Sequence, residues 1–153
     1  PLWSAYTQAY VKNDIPWIRN ITTKLTKFWL LILAGVILMI LISGPFYHIW
    51  VGDEIEIPIL LTIFMGLFIL ISTWNNVYVY FINGTGKIRL QLYSSIIAAA
   101  VNIPVSIYFA KNLGLGTAGV ILATCVCLFP GSILAPIQYF KIIHKNDKGI
   151  WGK

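Results

Sequence analysis

Charge is what this sequence has least of. Only eleven Lys or Arg and five Asp or Glu occur in 153 residues. Charged residues make up 10% of the chain, against roughly 25% in a soluble domain. Hydrophobic residues reach 58% and mean hydropathy is +0.80. A water-soluble globule of this size has too much surface to hide that apolar load, and the polar composition that keeps a chain disordered is missing. Cysteine is scarce as well. Cys125 and Cys127 are the only two, which excludes a disulfide scaffold. A spacing of two keeps them off a common helical face, so both read as small apolar fillers shielded by lipid.

Chemistry-bearing clusters are also missing. No Ser–His–Asp set, carboxylate pair or metal-ligand spacing occurs. Gly84-x-Gly86 and Gly114-x-Gly116 have no preceding strand and no Lys-Ser/Thr ending, so neither is a phosphate-binding loop. Hydroxyls and amides without a base activate no nucleophile. The expectation is a protein that is not an enzyme, with no catalytic residue, metal or cofactor. The net charge of +6 is not a nucleic-acid signal, because no basic cluster accompanies a soluble module.

What is present is a set of long runs without formal charge. Phe28–Gly52, Ile57–Gly86, Leu90–Ala110 and Asn112–Phe140 hold 25, 30, 21 and 29 residues. A spanning helix needs about 20 largely apolar residues. All four runs pass, and too little chain remains to bury them. The fold class is therefore all-α, a polytopic membrane bundle of four transmembrane helices. Its predicted spans are 28–50, 58–82, 90–110 and 117–140, joined to a connector with an interfacial helix over 1–27 and a basic tail over 141–153. Asp14 is placed to cap a helix with Pro16 in its first turn. Ile18, Ile21, Leu25 and Phe28 then recur at helical steps among Arg19, Lys24 and Lys27, the pattern of a basic amphipathic helix lying on a membrane surface. Pro45 predicts a bend or early exit from the first span, and Pro130, Gly131 and Pro136 predict an interrupted fourth. Pro45, Pro104, Pro130 and Pro136 are the hinge candidates.

Ten of the eleven basic residues fall on one side of this layout, and only Lys111 falls on the other. Both termini are then expected in the cytoplasm. The chain opens on Pro1 with no signal-peptide pattern and is expected to be a piece of a longer protein.

No Asp, Glu, Lys or Arg lies within a span core, so the polar content of the spans is neutral. Ser72, Asn76, Tyr80 and Asn83 follow a helical repeat, with Thr73 and Asn75 beside them. Ser95, Asn102 and Ser106 share a face of the third span. Thr117, Thr124, Gly131 and Gln138 recur every seven residues in the fourth. Such residues either line a water-filled route or hold helices together. The lining candidates are Ser72, Asn75, Asn76, Asn102, Ser106, Thr124 and Gln138.

Three stretches carry a family resemblance. They are PLWSAYTQAYVKNDIPWIR, the long stretch NNVYVYFINGTGKIRLQLYSSIIAAAVNIPVSIYFAKNLGLGTAGVILAT, and the basic tail, with small-residue positions at Gly84, Gly86, Asn102, Pro104, Gly114, Gly116 and Gly119. On these the chain resembles the C-terminal part of bacterial polysaccharide-biosynthesis flippases. These move O-antigen or capsule repeat units and belong to the superfamily that includes multidrug extruders. The resemblance implies part of the C-terminal lobe of an exporter with about twelve to fourteen spans. It implies partners in the lipid bilayer, the rest of the transporter and an undecaprenyl-diphosphate-linked oligosaccharide, and a location in the bacterial inner membrane. Family members carry cations in the central cavity for the diphosphate, and the spans of this chain supply none. Two other readings stay open: a multidrug or cation-coupled exporter of the same superfamily, and a self-contained four-span assembly or scaffold subunit.

Overall fold

Helix punctuation written into the sequence sets the first elements of the computed structural model, which describes residues 2–52 and 57–152. Leu2–Val11 forms α1, ending where Asn13 enters the left-handed region. Asp14 then caps α2, its Oδ1 accepting from Trp17 N at 3.1 Å, with Pro16 in the first turn where an amide hydrogen is dispensable. Helix α2, Ile15–Val51, runs from the basic amphipathic turns into the first charge-free run without a break. Helix α3, Ile59–Thr85, stops at Gly86, whose φ of 75° gives the left-handed cap that glycine adopts without strain. Helix α4, Arg89–Ile107, passes into a π-helix over Tyr108–Asn112. Helix α5, Gly116–Ile143, is followed by a 3₁₀ turn at Gly149–Gly152.

The fold is all-α. Among the described residues, four helices are long and apolar enough to cross a membrane: Ile15–Trp50, Ile59–Thr85, Arg89–Asn112 and Gly116–Ile143. The acidic residues Asp53, Glu54 and Glu56, expected between the first two spans, lie outside the described residues.

Three expectations are corrected. Pro45 does not end the first span and the fourth is not interrupted, since Pro45, Pro104, Pro130 and Pro136 all sit inside continuous helices. A proline removes one donor without necessarily ending the helix, and at Pro136 the freed carbonyl finds another donor. Pro136 deprives the Ser132 carbonyl of its intrahelical donor, and Trp74 Nε1 of α3 donates to that oxygen at 3.1 Å. After Pro104, the Tyr108 amide is shared between the Pro104 and Val105 carbonyls as the π-helix begins. Second, the opening segment is more than a surface connector. It folds as α1 and buries Tyr6 completely, and the apolar stripe of early α2 puts Ile18 into the same core. Third, Cys125 is shielded by protein and not by lipid. It is buried, and its Sγ donates to the Phe64 carbonyl of α3 at 3.6 Å.

The packing order is a row, α2–α3–α5–α4, with α1 laid over α3 and the start of α2. The core sits at the end of the row that holds both termini. There Phe81 is fully buried and takes Tyr6, Tyr10 and Tyr139 edge-on, with ring centroids 5.7, 6.1 and 5.1 Å away, a favoured aromatic geometry. Burial pushes the Tyr6 hydroxyl above its ordinary pKa, and its hydrogen bond with Thr22 Oγ1 at 3.2 Å offsets part of that rise. α1 reaches α3 so closely at Gly84 that an added Cβ would stand 3.0 Å from Tyr6 Cβ and 3.2 Å from the Thr7 amide nitrogen.

Candidate functional site

Helices α3 and α4 flank α5 without packing on each other to any extent, and a cleft of about 480 Å³ opens between them. Its polar lining is Asn75 from α3, Gln91, Ser94 and Ser95 from α4, and Gln138 from α5. The rest is aliphatic, with Cys127, Pro130 and Gly131 on the α5 wall. No carboxylate, ammonium, guanidinium or imidazole lines this cleft among the described residues.

Two of its polar atoms are unusual. Asn75 Oδ1 and Gln91 Oε1 are buried and accept no hydrogen bond. An unmet buried amide oxygen costs about 1–3 kcal/mol, and in an apolar wall that cost is removed only by a donor brought in from elsewhere. Both unmet acceptors belong to residues that line the neutral, amphipathic cleft.

The sequence candidates separate into three groups. Asn75 and Gln138 line the cleft. Asn102, Ser106 and Thr124 form a clasp between α4 and α5: Asn102 Nδ2 donates to Thr124 Oγ1 at 3.2 Å, and Ser106 Oγ donates to Asn102 Oδ1 at 3.3 Å. Thr124 Oγ1 in turn donates to the Val120 carbonyl at 3.0 Å. Asn76 is exposed on α3, and Ser72 is half-buried and does not border this cleft. Gln138 has a second task. It is 1% exposed, and its Nε2 donates to the Lys87 carbonyl at 2.8 Å and the Trp151 carbonyl at 3.2 Å. It ties the α3–α4 turn and the tail to α5.

That turn is held from outside as well. Lys87 pairs with Asp147 and lies 5.4 Å from the centroid of the Tyr10 ring. Burial alone would lower its pKa. The Asp147 carboxylate and Tyr10 outweigh burial and hold the ammonium above the ordinary lysine range. Lys141 Nζ stands 3.9 Å over the Trp151 ring, within cation–π reach.

Gln91 and Ser94 were not among the sequence candidates. Gln91 lies two residues after Arg89, where it reads as part of a polar turn. Continuing the Asn102 face backward by helical steps leads to Ser95 and Gln91, and that was the available signal.

Comparison with protein-family models, curated proteins and solved structures gives no match for the chain. Its helices and the neutral cleft are the basis for reading its function.

Proposed function

We propose that this chain is part of a bacterial inner-membrane transporter that flips an undecaprenyl-diphosphate-linked oligosaccharide, with both termini in the cytoplasm. The observation that carries the reading is the cleft between α3 and α4. It offers amide and hydroxyl groups to a neutral sugar headgroup, and its aliphatic walls suit a ligand that enters from lipid. Asn75 Oδ1 and Gln91 Oε1 accept from sugar hydroxyls. The work is conformational, rocking one bundle against another, and no bond is made or broken. The cation-coupled exporter reading of the same superfamily would instead place a titratable coupling residue in spans outside this chain.

The test uses the complete reading frame that encodes this segment, reconstituted in proteoliposomes with a lipid-linked oligosaccharide. Asn75→Leu and Gln91→Leu are expected to lower flipping per folded molecule by about tenfold each, since a site built to pair with hydroxyls loses that recognition when one partner is made apolar. Wild-type flipping per folded molecule in both variants would reject this cleft as the route. No flipping by the wild-type protein under any lumen or lipid condition would reject the function.

A further inference from the structure

A second cleft, of about 610 Å³, opens between α2 and α5 over α3, at the end of the bundle that holds the termini. Its chemistry differs from that of the first. Arg19, Thr23 and Lys27 follow one another at four-residue steps along α2, so they share a face. His144 at the end of α5 stands on the opposite wall, and the floor is Tyr78 and Tyr139. No carboxylate lines the cleft among the described residues. Thr22 and Thr26 point their hydroxyl hydrogens into α2, donating to the Ile18 and Thr22 carbonyls at 3.0 Å each. The cationic donors in the cleft are thus the Arg19 guanidinium and the Lys27 ammonium, with the Thr23 hydroxyl between them and the phenol groups of Tyr78 and Tyr139 on the floor. His144 Nδ1 is committed to the Phe140 carbonyl at 2.7 Å, which leaves Nε2 as its second polar atom.

Position decides what such a cleft takes. Lys27 is the last charge before the run that begins at Phe28, so it stands at the level where headgroups give way to acyl chains. Beyond it, Phe28, Leu30 and Leu31 are exposed along α2, and Phe140 is exposed on the facing helix. A soluble anion would have no use for that apolar continuation. We infer that this cleft binds the phosphodiester headgroup of an anionic bilayer phospholipid, with Arg19 and Lys27 on the phosphate oxygens and the acyl chains lying against α2. Arg gives the planar two-donor fork that phosphate accepts, and Lys adds a point charge. The lipid fills a space between two helices that do not hold each other directly, so it acts as a wedge that sets the spacing of α2 and α5. The inference is independent of the flippase reading, because it concerns a different cleft and a resident lipid.

The full 153-residue chain, purified in a neutral detergent, is titrated with phosphatidylglycerol and, separately, with phosphatidylcholine, and retained lipid is counted by native mass spectrometry. The expected result is one tightly retained phosphatidylglycerol and no comparable retention of phosphatidylcholine. Arg19→Gln with Lys27→Gln is expected to weaken retention by about thirtyfold, from the usual contribution of two cations at a lipid surface. Lys145→Gln with Lys148→Gln, which removes the same charge outside the cleft, should leave retention within about twofold. Arg19→Lys with Lys27→Arg keeps the charge and should retain most of the binding, which separates loss of the site from loss of the fold. Equal retention of the two lipids, or equal weakening by the two neutralised pairs, overturns the inference. Displacement of the lipid by excess inorganic phosphate also overturns it, because the cleft would then be a site for a soluble anion.

Discussion

The terminal end of the bundle and helix α4 are built on opposite principles. At the terminal end, α1, early α2, late α3 and late α5 close around Tyr6, Ile18, Phe81 and Tyr139, and protein fully encloses the rings of Tyr6 and Phe81. Helix α4 has no buried residue at all and touches the row chiefly through α5. Yet α4, like α2, α3 and α5, is apolar enough to cross a membrane. Hydrophobicity therefore takes a residue out of water here without deciding whether protein or lipid receives it. What distinguishes the regions is aromatic interlock at one and a few polar clasps at the other, as expected where lipid tails are as apolar as any side chain and packing must come from shape and hydrogen bonds.

The contrast is sharpest in truncations. Phe81→Ala empties a site that is 0% exposed and is expected to cost about 3–5 kcal/mol. Ile97→Ala on α4, where the side chain is 65% exposed, should cost under about 0.5 kcal/mol. Reversible unfolding in mixed micelles measures both, and similar costs would erase the distinction between the two regions.

Gly84→Ala tests the α1–α3 contact with one methyl group. The nearest atoms belong to the α1 backbone and to Tyr6 Cβ, so no side chain can rotate away. A loss of about 1–3 kcal/mol is expected, together with faster proteolysis in the turn at Lys12 and Asn13. Unchanged protease resistance would mean that α1 is not held to α3 as described.

Asn102→Leu attacks the clasp that fixes α4. It should cost about 0.6–2 kcal/mol, since Thr124 and Ser106 each lose a partner. Asn75→Leu removes an oxygen that is already unpaired and should leave stability unchanged or raised. Thermal melts of the two variants in one detergent will show whether they move apart. If Asn75→Leu is the more damaging, Asn75 is a structural partner and not a waiting acceptor.

Trp74→Phe should cost about 0.5–1.5 kcal/mol through its lost hydrogen bond to the Ser132 carbonyl. In a Pro136→Ala background the same change should cost less, because residue 136 then has its own amide hydrogen for that carbonyl. Additivity in this double-mutant cycle would show that the tryptophan does not compensate for the proline.

The smallest effect is electrostatic. Lys87 and Tyr6 are both held above their ordinary pKa values. Each contributes stability that is complete below the unfolded value, about 10.4 for Lys and 10 for Tyr, and is lost as pH rises through the folded value. Asp147→Asn should therefore lower stability by about 0.2–1 kcal/mol near pH 8, with the deficit closing at higher pH, past the ordinary lysine range, as Lys87 discharges in the wild type. Denaturant midpoints at the two pH values read this directly, and a deficit that persists at high pH would assign the Asp147 effect to packing.

Much of the fold was legible because a few strong local rules act in it. Length without charge marks four helices, Asp14 with Pro16 marks the start of α2, and Gly86 marks the end of α3. The prolines do not mark helix ends, and at Pro136 the freed carbonyl is met by a donor from another helix. For Ser132 that donor is Trp74, 58 residues away in sequence. The candidate site was legible in part. Asn75 and Gln138 stood out as amides in apolar runs, while Gln91 was masked by its neighbour Arg89. Asn75, Asn102 and Gln138 are alike in sequence, and three different environments leave one unpaired, one clasped to the next helix and one tied to two loop carbonyls.

The sequence by itself determined that the chain is helical, how many helices can cross a membrane, and which end of the bundle is basic. Those properties follow from transfer free energies and chain length, which are sums over consecutive residues. Only the tertiary structure decided the row α2–α3–α5–α4 and therefore the two clefts, one neutral and one cationic, that open where next neighbours fail to meet. An apolar helix face satisfies lipid and protein equally well, so its partner is chosen by shape: the room at Gly84, the interlocked rings around Phe81, and the single hydrogen bonds from Trp74, Asn102 and Gln138.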